Sequence, residues 1–275
     1  MRTVILIPAR YASTRYPGKP LVELRGPDGV AKSLIRRTWD AAMAVSEVAE
    51  VHVLTDDDRI RDAARAFGAS VIMTSTTCAN GTERCAEAVA AGLQADLFIN
   101  LQGDAPLTPP GFVTAMMRAM AASDAPVATP VIRCDTETLT MFRADRAAGR
   151  VGGTTAVFGQ GGRALYFSKE VIPFAAPGTD PVPVFHHVGL YAYRRAALLA
   201  YPALPPGPLE TLEGLEQLRF LENGIAIQCV EVAPGDRMFW ELNNPVDVAR
   251  VEAALASREA PALTAGPESR ARSGA

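Results

Sequence analysis

The sequence predicts an α/β fold built on a mixed, mostly parallel sheet, and three observations predict it. Short apolar, β-branched runs recur at Thr3–Ile7, Val51–Thr55, Ser70–Met73 and Leu97–Leu101, the pattern of strands buried on both faces. Helical stretches at Ser33–Val45, Asp58–Phe67 and Glu83–Leu93 separate them, which is the rhythm of right-handed βαβ units. Beyond Pro126–Ile132 the pattern changes to Gly-rich alternation, which predicts a small antiparallel excursion.

Taken in order, the Thr3–Ile7 strand stops at Pro8, and the next three runs complete a parallel set. Thr154–Phe158, the turn GQGG and Arg163–Ser168 read as a hairpin. His187–Tyr193 reads as a strand, Leu209–Asn223 as a helix closed by Gly224, Ile225–Val232 as a strand and Pro245–Ala256 as a final helix. The segment 257–275 is Ala, Pro, Ser, Gly and Arg without periodicity and is expected to be disordered. Residues 1–256 then form a single domain, with the antiparallel excursion at about 133–195. No internal repeat is visible.

Length and composition exclude several classes. The 275 residues are about 1.8 times a ~150-residue domain, enough for a substantial core. With 27 basic and 30 acidic residues the formal net charge is −3, which offers nucleic acid or an anionic membrane no general attraction. The apolar start is too short for a signal peptide, and no run approaches a membrane span. Cys78, Cys85, Cys134 and Cys229 form no CxxC pair, and with three histidines a zinc site is not expected. A cytoplasmic protein with free thiols is the expectation.

The chemistry concentrates after strands. Ile7–Leu21, IPARYASTRYPGKPL, places Arg10, Arg15 and Lys19 on one loop beyond the first strand. Arginine forks and a lysine point charge suit a polyphosphate, and Gly18 admits a close backbone approach; the same charges also fit a solvated basic loop. The loop is neither GxGxxG nor GxxxxGK[ST], which disfavours dehydrogenases and P-loop NTPases. Past the fourth strand, NLQGDAP aims Asp104 at the same crevice. A hard carboxylate beside phosphates suits Mg²⁺, whereas a lone Asp in that place equally serves as a turn or cap residue. In NGTER, Thr82 and Glu83 suit a helix start, while Arg84 opposes the helix dipole unless an anion or a base edge compensates it. Adjacent His186 and His187 point to opposite faces of a strand and do not form a metal pair. Glu210, Glu213, Glu216, Gln217 and Arg219 read either as a solvated helix face or as partly inward-facing.

Together these segments resemble the 3-deoxy-manno-octulosonate (Kdo) cytidylyltransferases, the CMP-Kdo synthetases, which activate an eight-carbon sugar acid for lipopolysaccharide. The resemblance rests on PARYASTRYPGKPL, TDDDRI, NGTERCAEAV, NLQGDAP, ALYFSKEVIPF, HVGLYAYR and LEGLEQLRFLENG, in that order along most of the chain. It implies a Rossmann-like three-layer nucleotidyltransferase fold, of the nucleotide-diphospho-sugar transferase type. It also implies CTP as nucleotide, Mg²⁺ as cofactor, a sugar-acid acceptor, pyrophosphate release and a homodimer with contacts near the excursion. By the same resemblance Pro8, Ala9, Arg10, Arg15 and Lys19 hold the nucleotide phosphates, Arg84 and Gln102 contact the nucleotide, and Asp104 ligates the metal. Arg10, Lys19 and Asp104 carry the catalysis, and His187, Tyr191, Glu210 and Gln217 line the sugar-acid pocket.

Four positions depart from the family pattern. Ala105 stands in place of a Glu, Asn243 where the second metal ligand Asp is expected, Thr155 in place of a Lys, and Lys169 in place of an Arg. Asn243 brings an amide oxygen but less charge, so weaker metal binding or a shifted ligand such as Glu241 is expected. Lys169 loses bidentate carboxylate recognition. The phosphate end matches the family and the sugar end is altered. Two rivals therefore stand beside a Kdo cytidylyltransferase: an activator of another acidic sugar, such as an amino-Kdo or a nonulosonate, and a catalytically silent nucleotide-binding protein.

Overall fold

The computed structural model describes residues 1–12, 16–26, 28–151, 153–233, 235, 240–242 and 244–258. Strand β1 (Thr3–Pro8), buried at every position, leads through the hairpin β2 (Glu23–Arg25) and β3 (Ala31–Ser33) into α1 (Leu34–Met43). The chain continues through β4 (Glu50–Thr55), α2 (Asp58–Ala66), β5 (Ser70–Met73), α3 (Gly81–Ala90), β6 (Leu97–Leu101), α4 (Pro110–Ala121), β7 (Val127–Arg133) and α5 (Thr136–Ala147). The second part comprises β8 (Thr154–Phe158), β9 (Ala164–Ser168), β10 (Phe185–His187), β11 (Leu190–Arg194), α6 (Arg195–Ala200), α7 (Pro208–Glu213), α8 (Leu218–Glu222), β12 (Ile227–Glu231) and α9 (Asp247–Arg258).

β1, β4, β5 and β6 are parallel and stand in the order β5-β4-β1-β6. The alternation along β1 separates two cores. Val4 and Leu6 pack with α3, α6 and α8 through Cys85, Val89, Leu198 and Phe220. Ile5 and Ile7 pack with α1, α2 and α4 through Ile35, Ile60, Phe112 and Met116. This is the three-layer α/β architecture expected, with one apolar face of the sheet buried under each helical layer. Side-chain oxygens cap three of these helices: Ser33 accepts from the Arg36 N–H, Asp57 from Arg59 and Asn80 from Glu83.

The second part corrects two sequence expectations. The strand expected at His187–Tyr193 is two strands, β10 and β11, both antiparallel along one edge of β7. They are separated at Val188–Gly189, where the Val188 N–H donates to Pro130 O at 3.1 Å and the Leu190 N–H donates to Val188 O at 2.7 Å. The break lets β10 pair with β8 while β11 pairs with β6, so the excursion is grafted into the main sheet. The helix expected over Leu209–Asn223 is α7 and α8, divided by Gly214 in the left-handed region at φ 60°. Helices α4 and α5 are elements the sequence reading left unassigned. The segment 259–275 of the expected tail lies outside the described residues.

His187 is buried on β10, with its ring nitrogens 3.0 and 3.1 Å from the Thr129 and Thr154 hydroxyls. Burial, and then the neighbouring His186, lowers its pKa to about 3. The unfolded chain takes up a proton here near pH 6.5, and the folded chain refuses it until about pH 3. This contribution to stability is complete above about pH 6.5 and declines as the pH falls. Denaturant titrations are expected to show a loss of about 2 kcal/mol from this residue between about pH 6.5 and pH 4.5. His187→Gln is expected to flatten that slope, and an unchanged slope contradicts the assignment.

Candidate active site

The chain leaves β1 towards β4 and β5 on one side and returns to β6 on the other. Such a switch point opens a crevice beyond the carboxyl ends of the two strands. The residues following β1 and β6 meet there, and a Cβ built on Gly103 lies only 2.7 Å from the Pro8 carbonyl oxygen. Any larger residue at Gly103 forces the two strand ends apart. The resulting cavity has a volume of about 490 Å³.

One wall comes from the loop after β1. Gly18, at φ 72°, turns the chain into the single 3₁₀ turn Lys19–Leu21, with the Tyr11 ring 3.1 Å from where a Cβ would stand. This places the Lys19 ammonium 2.6 Å from Asp104 Oδ2, with the two side chains 13% and 25% exposed. Pro8, Ala9 and Arg10 line the same wall. Asp104 is held from its other side, because its carbonyl accepts from the Leu242 N–H at 2.9 Å. The adjoining Glu241 also lines the cavity, and its carboxylate occupies the space left by the missing side chain of Gly189, 2.9 Å from a Cβ built there.

A second wall is the start of α3. Asn80 Oδ1 accepts from the Glu83 N–H at 2.8 Å, while Glu83 Oε2 accepts from the Ala79 N–H at 2.7 Å. This reciprocal cap exposes Asn80 and Gly81 to the cavity. Arg84, 3% exposed, reaches Asp56 at 3.1 Å and also bonds the Thr74 hydroxyl. The charge that opposes the helix dipole therefore has its compensating anion in the TDDDRI segment, and Arg84 still lines the cavity.

The third wall follows Gly214. Glu216 accepts from the Thr82 N–H at 3.1 Å and from Gln102 Nε2 at 3.3 Å. Burial raises its pKa above the ordinary carboxyl value, against those two hydrogen bonds. Gln217 accepts from the Tyr191 hydroxyl at 3.1 Å. Its Nε2 is buried without a partner among the described residues, so this amide has a donor in reserve. Burial raises the Tyr191 pKa well above its ordinary value, with Glu216 and Glu241 adding to the effect; the group acts as a neutral hydrogen-bond donor.

Of the residues singled out from sequence, Pro8, Ala9, Arg10, Lys19, Arg84, Gln102, Asp104, Tyr191 and Gln217 line this one cavity. Arg15 and Asn243 lie outside the described residues. His187 is not at the wall: it is drawn back into the sheet by the two threonine hydroxyls. Glu210 is not there either, because the Arg219 guanidinium takes both its oxygens at 2.8 and 2.7 Å. Glu216 reaches the cavity, where the sequence reading left it open between a solvated helix face and an inward-facing position. The break at Gly214 resets the helical phase, and that glycine was the available signal.

The cytidylyltransferase family profile matches residues 4–227. A 3-deoxy-manno-octulosonate cytidylyltransferase of Maricaulis maris is 45% identical over 94% of this chain and 98% of its own length. One from Zea mays is 39% identical over 94% of this chain and 82% of its own. A solved CMP:2-keto-3-deoxy-manno-octonic acid synthetase complexed with CTP superposes with a TM-score of 0.80. It is 36% identical and covers 94% of this chain and 100% of its own. A Leptospira borgpetersenii cytidylyltransferase, 16% identical over 94% of this chain and 87% of its own at a TM-score of 0.60, shares the fold. By sequence and by architecture, this chain belongs to the 3-deoxy-manno-octulosonate cytidylyltransferase family.

Proposed function

We propose that this chain transfers CMP from CTP to the anomeric hydroxyl of Kdo or a closely related sugar acid, releasing pyrophosphate. The observation that carries this reading is the Lys19–Asp104 pair at 2.6 Å inside a cavity that Arg10 also lines. It joins phosphate-binding cations and a metal-binding carboxylate at one point.

The residues present fit Mg²⁺. Asp104 and Glu241 bring two hard carboxylates to one cavity, and Mg²⁺ characteristically takes one or two carboxylates with substrate phosphates and water completing its shell. Among the described residues no group of three or more His, Cys, Asp or Glu side chains forms a metal cage, which suits an ion shared with the nucleotide. Asp104 would hold it, with Glu241 the carboxylate nearest in sequence to Asn243. The bound ion would polarise the α-phosphate and neutralise charge on the pyrophosphate.

The chain's own part is positioning and charge neutralisation. Lys19 and Arg10 face the phosphate oxygens, and the Lys19 ammonium exchanges Asp104 for phosphate when the nucleotide enters. Arg84, held by Asp56, offers a fixed guanidinium at the α3 wall. Gln102, tied to Glu216, separates the nucleotide side from the acceptor side, where Gln217 and Tyr191 supply hydrogen bonds for sugar hydroxyls. The acceptor hydroxyl is thereby held for attack on the α-phosphorus, and the departing pyrophosphate leaves among cations already aimed at it.

A homodimer is part of the proposal. Leu165 on β9 and Phe174, 63% and 91% exposed, present apolar area on the antiparallel excursion, where a second copy would cover it. Lys169 in place of the family Arg supports a related sugar acid as the acceptor beside Kdo itself.

Pyrophosphate release from CTP and Mg²⁺ is expected with Kdo or with one of a panel of amino-Kdo and nonulosonate acceptors. In Asp104→Asn the rate is expected to fall by about 100-fold or more with the fold intact by circular dichroism. Full activity in that variant contradicts the metal role. CTP binding without turnover across the whole panel favours the nucleotide-binding rival.

A further inference from the structure

Lys169 lies on the chain just after β9, and its ammonium comes within 3.1 Å of a Cβ built on Gly214, a cavity-lining residue. It has no ion-pair partner among the described residues. The backbone that carries it is gripped at both ends. The Lys169 N–H donates to Glu213 Oε2 at 2.8 Å, and Arg146 Nε donates to the Lys169 carbonyl at 2.5 Å.

Each grip is itself anchored. Glu213 Oε1 accepts from the Ser168 hydroxyl at 2.6 Å and from the Tyr166 hydroxyl at 3.2 Å, so one carboxylate ties the end of α7 to Tyr166, Ser168 and Lys169 at the end of β9 and just beyond it. Arg146, on α5, also donates to the Gly153 carbonyl. Its Nη1 is buried without a partner among the described residues, a cost for a guanidinium that makes no ion pair there. A free lysine has four rotatable side-chain bonds and a mobile charge. Fixing its peptide removes the backbone share of that freedom.

We propose that Glu213 and Arg146 are positioning residues that clamp the Lys169 peptide from its two ends, holding the Lys169 ammonium at the Gly214 end of the cavity to meet the acceptor's carboxylate. The inference rests on the sugar-acid reading of the cavity. Phosphate charge is met by Lys19 and Arg10 at one end, and the acceptor's single negative charge by Lys169 at the other. Gly214 lies beside the ammonium in the left-handed region at φ 60°, a conformation that L side chains rarely adopt.

Steady-state kinetics on the full chain test this, varying CTP and the sugar acid separately. Glu213→Ala is expected to raise KM for the sugar acid about tenfold while KM for CTP stays within about twofold. Glu213→Gln is expected to recover to within about threefold of the unaltered protein, because its Oε1 accepts from Lys169 while its amide donates to the two hydroxyls. Lys169→Met, at a partly exposed position, is expected to raise KM for the sugar acid by about the same factor as Glu213→Ala. The double variant is expected to be no worse than Lys169→Met alone, since Glu213 acts through Lys169. Additive losses, a parallel rise in both KM values, or an unchanged sugar-acid KM in Lys169→Met overturn the proposal. Should Glu213→Ala fail to fold, the Lys169→Met and Glu213→Gln results decide. Inactivity of the unaltered protein toward every sugar acid removes the parent reading and this inference with it. Activity with unshifted variants removes this inference alone.

Discussion

The ion pair between Lys19 and Asp104 is the contact on which the site's arrangement depends. It joins the loop after β1 to the loop after β6 across the switch point of the sheet, at 2.6 Å. Neither residue reaches the other without the parallel order β5-β4-β1-β6, which sets those two strand ends side by side. Gly103 lets the ends approach, and the left-handed Gly18 turns the cation loop back over them. The pair neutralises its two charges mutually inside the cavity. Under the proposed function, binding would be an exchange of partners in which Asp104 would hold a metal ion and the Lys19 ammonium would meet phosphate, leaving no bare charge in a half-buried place.

The same economy of charge runs through the cavity and the residues behind its walls. Arg84 is nearly buried and is balanced by Asp56. Glu210, which would otherwise be a buried acid, is taken by Arg219, and Arg219 also reaches Glu83 at 3.0 Å. That second bond ties the helix after Gly214 to the start of α3. Glu216 is different: amide donors hold it and burial raises its pKa. The cavity therefore grades from ionic around Lys19 and Asp104 to hydrogen-bonding around Tyr191 and Gln217, a grading that suits the polyanionic donor and polyhydroxylated acceptor proposed above.

Much of this was legible in the sequence because it is local. The runs at Thr3, Ser70 and Leu97 state their strands by composition alone, and a cation loop or an Asp immediately past such a run is aimed at the crevice by the direction of the strand. What was hidden depends on contacts distant in sequence. The break between β10 and β11 arises because two different partners, β8 and β6, pair with the two halves. The break at Gly214 moved Glu210 away from the cavity and Glu216 into it, which a continuous 3.6-residue period does not foresee. Family resemblance assigned His187 to the sugar pocket, but two threonines from β7 and β8 hold its ring inside the sheet.

Metal-free CTP binding measured by calorimetry tests the partner-exchange account most directly. If Asp104 and Lys19 neutralise each other before the nucleotide arrives, Asp104→Asn frees the ammonium and tightens CTP binding in the absence of divalent cations, although the same change is expected to slow turnover. Lys19→Met weakens CTP binding under the same conditions. An Asp104→Asn variant whose metal-free CTP affinity is unchanged or lower contradicts the account.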